Sequence, residues 1–399
     1  MGDLTRTEAA ERAGVGLDEV NRLIEAGVIT PDTDDRLSAA DVRRVRIMQS
    51  LQEGGLALDG VAAGLQQGVV TLDFVDDANY DRFAGVAAET FEEVSERTGI
   101  PMALLTVIRE AIGRAPALPA DRIDDDELAI VPFVELQVKA GFRAIAIERL
   151  LRATGDNLRR VAESEADWWR TEVLEPRLQA GVPLSDIGVI EGGQQLTMES
   201  ERALLAFYHA EQQHSWTANI LAGFQYQLTK AGLYRQAERP PAICFLDITG
   251  YTRLTQEHGD RAASDLAEQL ARIVQRTSVQ HGGRPVKWLG DGVMFHFRDP
   301  GPGVVAALEM VDGVAGAGLP PAHVGLDAGP VLVREGDYYG QTVNQAARIA
   351  DYARPGEVLV SQAVVDAAKL PEAAFSSIGP VELKGVTGTI QLHAALRHA

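Results

Sequence analysis

The chain has 399 residues, of which 46% are hydrophobic and 24% are charged, and this composition excludes both general disorder and a single small module. Its 57 acidic residues outnumber its 37 Lys and Arg residues and give a formal charge of −20, which argues against broad binding to nucleic acid. Cys244 is the single cysteine, so a disulfide or a cysteine-based zinc site within one chain is excluded.

The N-terminal segment predicts no export signal. It carries Asp3, Glu8 and Glu11 where a signal peptide would have a basic stretch followed by an apolar core. No apolar run reaches the ~18 residues of a spanning helix. We therefore expect a cytoplasmic protein without a membrane span.

The sequence changes character at Pro240 and Pro241. Before this pair it is rich in Ala, Leu, Glu and Arg with helical periodicity, and after it short β-branched runs alternate with Gly-containing turns. Because proline cannot continue a helix, we place the main boundary there and predict an α+β chain whose N-terminal half is all-α. The predicted segments are two helical modules (1–68 and 69–196), a linking helix (197–238) and a C-terminal domain (239–399).

The helical half contains an internal repeat. Residues 11–15 (ERAGV) match 96–100 (ERTGI), and residues 52–56 (QEGGL) are echoed by 138–142 (VKAGF), at an offset of 85 to 86 positions. We therefore predict two copies of one helical unit, the second more degenerate than the first.

The first copy resembles the MerR-type winged helix-turn-helix over about 60 residues. The resemblance lies in residues 10–15 (AERAGV), 27–31 (GVITP) and 36–41 (RLSAAD). A DNA-reading helix needs Arg and Lys, but the candidate helix 17–25 has three acids and one arginine. We therefore predict that DNA is not a partner and that the module serves protein contacts or senses a small molecule or protons.

A long helix is predicted before the proline pair. Over residues 197–233, Trp216, Ile220, Phe224 and Leu228 recur every four positions and form an apolar face. This face packs either on its own domain or across a dimer, where the helix would pass a conformational change to the C-terminal domain.

His209 and His214 lie on the same predicted helix and have two interpretations. A histidine titrates near neutral pH, so the pair is a candidate sensor. Their five-residue spacing is not the four-residue spacing of a helical metal pair, and packed or surface histidines are the alternative.

Two segments after the proline pair each place an aspartate at the end of a predicted strand. A predicted buried strand, 242–248, places Asp247 at its tip beside a glycine turn, and the run 284–297 forms a predicted hairpin with Asp291 between two glycines. Two carboxylates at adjacent strand tips suit a pair of magnesium ions. Taken alone, the first is also compatible with a helix cap and the second with a turn, and Cys244 fits a buried apolar position better than a nucleophile.

A third segment, 336–348, runs from a turn into a helix with Asn344 and Arg348 four residues apart on one face. The three segments, in this order, resemble the catalytic domain of class III adenylyl cyclases. The resemblance extends from Pro240 to the C-terminus and includes the predicted strand 381–385 (VELKG). It implies a ferredoxin-like catalytic domain that converts ATP to 3′,5′-cyclic AMP and pyrophosphate.

The resemblance also implies the metal site. Asp247 and Asp291 correspond to the metal-binding aspartates of the family, and Ile248 to the residue that lends a backbone carbonyl. Two Mg²⁺ or Mn²⁺ ions per site are implied: one lowers the pKa of the ribose 3′-hydroxyl and the other holds the triphosphate.

The nucleotide-binding roles follow from the same resemblance. Lys287 and Asp337 correspond to the pair that reads the adenine edge, where guanylyl cyclases carry Glu and Cys. Asn344 corresponds to the residue that orients the ribose, Arg348 to the one that stabilises charge on the α-phosphate, and Lys384 to a lysine that contacts the triphosphate.

In the family the site lies between two catalytic domains arranged head to tail, so one chain with a full set of residues implies a homodimer. The N-terminal half resembles the autoinhibitory helical region of actinobacterial cyclases that respond to pH or small ligands. Two alternatives remain: a transcriptional regulator with a silent cyclase-like domain, and a diguanylate cyclase, for which the required Gly-Gly-Asp/Glu-Glu-Phe turn is missing from the sequence.

Overall fold

A computed structural model of the chain describes residues 3–76, 85–183, 193–234, 240–289, 292–334, 336–370 and 373–397. Within these ranges the side chains of 193–194, 251–255, 257–265 and 373–374 are not described. The chain divides into two compact units, Met1–Leu221 and Ala222–Ala399. This division falls within the long helix that precedes the proline pair, because that helix continues unbroken past residue 221.

The first half of the N-terminal unit is a small helical module with its own apolar core. Its helices are α1 (Arg6–Ala13), α2 (Leu17–Glu25), α3 (Ala39–Glu53) and α4 (Leu58–Gln66), followed by a 3₁₀ turn, Asp73–Asp76. Leu23, Leu37 and Met48 are wholly buried between them. A single β-bridge joins Leu4 to Leu37.

The second half repeats this arrangement. It consists of β1 (Val86–Thr90), α5 (Phe91–Thr98), α6 (Met102–Ala111), β2 (Arg122–Asp124), α7 (Asp125–Lys139) and α8 (Ala144–Trp169). A π-helical turn, Arg170–Leu174, and α9 (Glu175–Gln179) follow α8. The first four helices of this half begin 85 or 86 residues after α1 to α4, the offset of the sequence repeat.

The two copies also share their helix-start signals. Thr5 and Glu8 form a capping box at α1, and Thr90 and Glu93 form the equivalent box at α5. In each box the threonine side chain accepts from a backbone N–H while the glutamate accepts from the threonine backbone, which satisfies donors that the first helical turn leaves unpaired.

The long helix α10 (Gly193–Lys230) carries the predicted apolar face. Trp216, Ile220 and Phe224 are each at least 60% exposed, so the structure does not pack this face on the unit in which it begins. His209 and His214 on the same helix are exposed as well. Within the described part of the chain, no helix combines the length and apolarity needed to cross a bilayer.

The C-terminal unit is built on a seven-stranded sheet in the order β10-β11-β9-β6-β3-β5-β4. Its strands are β3 (Ala242–Ile248), β4 (Gly283–Leu289), β5 (Gly292–Phe297), β6 (Ala322–Ala328), β9 (Val358–Ser361), β10 (Ala373–Glu382) and β11 (Thr389–Arg397). The helices are α11 (Tyr251–Gln280), α12 (Pro300–Gly316), α13 (Gln341–Tyr352) and α14 (Gln362–Ala368), and β7 (Leu332–Arg334) and β8 (Asp337–Tyr339) form a separate hairpin.

The order of β6, β3, β5 and β4 within this sheet is that of a ferredoxin-like βαββαβ unit, in which α11 and α12 are the connecting helices. All neighbours in the sheet pair antiparallel except β6 and β9, which are parallel. The predicted fold class, a helical half followed by a ferredoxin-like domain, is therefore confirmed, although the pairing of β1 with β2 means that the N-terminal half is not purely α-helical.

The two faces of the sheet are occupied differently. Leu246, Phe295 and Val324 face one side, in the main core together with residues of α11 and α12. Ile243 and Met294 face the other side, where they pack with the β7–β8 hairpin and α13. Because side chains alternate along a strand, Asp247 belongs to this second face.

Gly325 on β6 allows α13 to lie directly against the second face. A Cβ atom at this position would be 2.1 Å from the backbone nitrogen of Ala350, far inside van der Waals contact. The start of α13 is fixed as well, because the Thr342 hydroxyl donates to the carbonyl oxygen of Pro330 at 2.9 Å.

We predict that Gly325→Val displaces α13. The added side chain meets backbone rather than a movable side chain, so we expect a loss of about 1–3 kcal/mol in the free energy of unfolding. Thermal unfolding of the full chain measures this loss. Gly316→Val, at a position with open space around it, is the matched control; equal stability of the two variants would contradict the close approach.

Candidate active site

Lys287 and Asp337 meet on the second face of the sheet. The Nζ atom of Lys287, on β4, donates to Oδ2 of Asp337 at 2.5 Å, although fifty positions separate the two residues. The backbone N–H of Tyr338 donates to the other carboxylate oxygen at 2.8 Å. The two side chains are 40% and 26% exposed, so the ammonium and the carboxylate are fixed in place and still open to a ligand.

A stacked ring pair lies directly behind these charges. The rings of His296 and Tyr338 have centroids 4.7 Å apart and planes inclined by 25°. Burial, together with the charges of Arg284 and Arg298, lowers the pKa of His296 from 6.5 to about 4, so the imidazole is neutral near neutral pH. His296 was not predicted as a site residue, because it occupies one position of an apolar strand between two phenylalanines.

Asp247 lies at the end of β3, where the sheet opens to solvent. Its Oδ1 accepts from the backbone N–H of Ile248 at 3.0 Å, and its Oδ2 is 3.8 Å from Nε2 of His323 on β6. The other ring nitrogen of His323 is 3.3 Å from the hydroxyl of Thr249. His323 is the register partner of Asp247 and was also missed, because only sheet pairing brings the two together.

The second predicted metal-binding residue, Asp291, lies outside the described residues. Its neighbour Gly292 begins β5 as the register partner of Asp247. A Cβ atom at Gly292 would be 3.1 Å from the carbonyl oxygen of Leu246, so glycine permits the close approach of β5 to this end of β3. Among the described residues, no group of three or more His, Cys, Asp and Glu side chains is arranged to hold a metal ion.

The oxygen atoms at this end of β3 suit a hard cation such as Mg²⁺. The Asp247 side chain is 43% exposed, and carboxylate and backbone carbonyl oxygens are the ligands that Mg²⁺ prefers. The side chain of Ile248 is buried in the main core, which anchors the backbone that follows Asp247. Asp247 and the Ile248 carbonyl are therefore compatible with the predicted magnesium site.

Asn344 and Arg348 lie on the exposed side of α13, as their spacing predicts. The opposite side of the helix is buried through Ala346, Ile349 and Ala350. The Arg348 guanidinium donates to Asp351 on the same helix at 2.7 Å. The amide and the guanidinium thus project together from α13, on the side away from the sheet that supports this helix.

Lys384 is exposed in the turn between β10 and β11, not within a strand as the sequence analysis placed it. The strand β10 ends at Glu382, and the chain turns there because Gly385 adopts a positive φ of 78°. Cys244, by contrast, is wholly buried, and burial raises the pKa of its thiol, as expected of an apolar core position.

Comparison with known proteins relates this chain to nucleotide cyclases. Residues 322–395 match the family described as "Adenylate and Guanylate cyclase catalytic domain". The "pH-sensitive adenylate cyclase MT1302" of Mycobacterium tuberculosis is 25% identical over 387 residues, covering 90% of this chain and 89% of the relative. An adenylate cyclase of Streptomyces coelicolor is 26% identical over 283 residues, covering 69% of this chain and 70% of the relative.

A third relative, an adenylate cyclase of Glutamicibacter nicotianae, is 38% identical over 120 residues, or 30% of each chain. The family match runs from β6 into β11 of the C-terminal unit, whose sheet has the strand order of a ferredoxin-like domain. The similarity over most of the chain is to adenylate cyclases, which confirms the resemblance drawn from the sequence.

The low pKa of His296 leads to a prediction about pH. The unfolded chain takes up a proton near pH 6.5 that the folded chain resists until about pH 4, so His296 contributes stability above pH 6.5 that is lost as the pH falls toward 4. We expect the His296 resonance, assigned by comparison with His296→Phe, to titrate with a midpoint near 4 in an NMR experiment. A midpoint near 6.5 would contradict the burial of the ring.

Proposed function

We propose that the C-terminal domain converts ATP to 3′,5′-cyclic AMP and pyrophosphate. The observation that carries this proposal is the contact between Lys287 and Asp337. Adenine presents an acceptor, N1, beside a donor, its exocyclic amine, and the pair offers a donor beside an acceptor. Guanine presents a donor, N1–H, and an acceptor, O6, at the same places. The Lys287 donor would therefore face a donor and the Asp337 acceptor would face an acceptor.

The remaining predicted residues supply the rest of the chemistry. The ribose 3′-oxygen attacks the α-phosphorus while the bond to the pyrophosphate oxygen breaks, and we assign Asn344 to orienting the ribose. Arg348 would stabilise the charge that develops on the α-phosphate, and Lys384 would hold the triphosphate. These roles rest on the family resemblance and on the exposed positions of the side chains.

Class III cyclases use divalent metal ions, and we propose two Mg²⁺ or Mn²⁺ ions per site held by Asp247, Asp291 and the Ile248 carbonyl. When bound, the ions would lower the pKa of the 3′-hydroxyl and neutralise the triphosphate. His323 lies beside Asp247, with Nε2 3.8 Å from Oδ2, and at hydrogen-bond distance its imidazole would orient a ligating carboxylate.

Class III cyclases act as dimers, and we propose that this chain forms a homodimer with two equivalent sites. Asn344 and Arg348 project from α13 on the side away from their own sheet, where a nucleotide held by a second chain would meet them. In this arrangement one chain contributes Asp247 and Asp291, and the other contributes the side chains on α13.

We propose that the N-terminal helical half regulates the catalytic domain in response to protons or a small molecule. A relative that matches 90% of this chain is named a pH-sensitive adenylate cyclase, which supports this assignment. The three acids of α2 (Asp18, Glu19 and Glu25) argue against the alternative of a DNA-binding regulator. The cytoplasmic location stays a prediction.

Removal of one metal ligand should stop the reaction. We expect Asp291→Ala to reduce cyclic AMP formation by roughly a thousandfold or more, because the transition-state charge loses its counterion, while the dimer persists. Chromatographic assay of cyclic AMP and light scattering measure the two effects. Asp312→Ala, which removes a carboxylate paired with Arg397 on the surface, is the control. Substantial turnover by Asp291→Ala would refute the metal assignment.

A shared site should allow complementation. Asp247→Ala and Arg348→Ala homodimers each lack a group at both sites, but a mixed dimer has one intact site. Random exchange of equal amounts should therefore restore about a quarter of the wild-type activity. Failure to recover activity, with mixed dimers shown to be present, would contradict a site formed by two chains.

A further inference from the structure

We propose that the stacked rings of His296 and Tyr338 are positioning residues that set the geometry of the base-reading pair and thereby the preference for ATP over GTP. This inference rests on the proposed function of Lys287 and Asp337. Neither ring is assigned a role by the sequence motifs or by the comparisons.

Tyr338 contacts the Asp337 carboxylate through its backbone. The backbone N–H of Tyr338 fixes Oδ1 of Asp337 at 2.8 Å, which leaves Oδ2 for Lys287 and for a base. Asp337 lies in a three-residue strand of a short hairpin, which by itself holds a side chain only loosely. A support beneath the hairpin is therefore needed to keep the carboxylate in register with Lys287.

The ring of Tyr338 provides this support. The Tyr338 side chain is buried against the sheet, and its ring stacks on His296, which lies on β5, a strand paired on both sides. An offset stack of two flat rings restricts both the tilt and the sliding of Tyr338. The hairpin is thereby attached to a rigid element rather than to another loop.

The apolar cluster around Tyr338 extends to α13. Tyr338 shares an apolar cluster with Ile243, Met294 and Ala346. Ala346 lies on α13 between Asn344 and Arg348. A movement of the Tyr338 ring would therefore disturb the base-reading pair and the helix that carries the ribose and phosphate contacts.

The chemistry of the rings decides which substitutions should be tolerated. Because the imidazole of His296 is neutral near neutral pH, its role in the stack depends on a flat face and not on charge. Phenylalanine retains that face, whereas leucine fills similar space without it. If His296 merely filled space in the core, phenylalanine and leucine would replace it equally well.

The test compares His296→Phe, His296→Leu and Tyr338→Leu in the full-length protein with Mg²⁺ and either ATP or GTP. We expect both leucine variants to raise KM for ATP about fivefold, the factor expected for one lost aromatic contact, with kcat reduced less than twofold and the ATP preference lowered. His296→Phe should stay within about twofold of wild type in both parameters.

Two controls sharpen the comparison. His281→Leu makes the same change at a histidine that pairs with Glu309, away from the stacked rings, and should leave KM unchanged. The double variant His296→Leu/Tyr338→Leu should lose no more than either single variant, because both act through one contact. Additive losses, or equal effects of Phe and Leu at position 296, would overturn the proposal.

A second measurement does not depend on turnover. The carboxyl ¹³C resonance of Asp337 in the labelled full chain should shift in His296→Leu and stay in place in His296→Phe. If the wild-type protein does not cyclise ATP, the proposed function fails and this resonance still tests the positioning role. An Asp337 resonance unmoved in His296→Leu would overturn the inference even in an active enzyme.

Discussion

The site depends on one contact between a lysine ammonium and an aspartate carboxylate from distant parts of the chain. Lys287 and Asp337 are 2.5 Å apart and both remain partly exposed. A surface ion pair of this kind contributes little to stability, so its value lies in presenting a donor and an acceptor side by side. The surrounding structure keeps the two side chains together by packing the β7–β8 hairpin against the second face of the sheet.

The Lys287–Asp337 pair is held in place by a sheet whose two faces carry different elements. One face is covered by α11 and α12 and supplies the core, while the other receives the hairpin and α13. Gly325 removes the side chain that would hold α13 away, and Gly292 does the same where β5 approaches the end of β3. Close backbone approach thus fixes the position of α13 and of the strand end at Asp247.

The sequence was sufficient for features that depend on local pattern. The change at Pro240, the strand that ends at Asp247 and the shared helix face of Asn344 and Arg348 follow from periodicity and from proline chemistry. The repeat predicted two copies of one helical unit, and the helices of the second copy begin 85 or 86 residues after those of the first. The roles of Lys287 and Asp337 came from the family resemblance and stay predictions, although the structure places the two in contact.

Features that depend on sheet register could not be predicted in this way. His323 meets Asp247 only after β3 and β6 pair, and His296 meets Tyr338 only after the separate β7–β8 hairpin packs against the sheet. A single histidine within an apolar run gives no signal of its own, because the same pattern occurs in any half-buried strand. Lys384 was placed in a strand although Gly385, which takes a positive φ, is itself a turn signal.

The most direct test of the account is the choice of base by the purified full-length protein. We would measure kcat/KM for ATP and GTP with the wild type and with the double variant Lys287→Glu/Asp337→Cys, which carries the residues of guanylyl cyclases. The account predicts a preference for ATP of at least about a hundredfold that is lost or reversed in the double variant. Equal use of both nucleotides by the wild type, or an undiminished preference for ATP in the double variant, would contradict it.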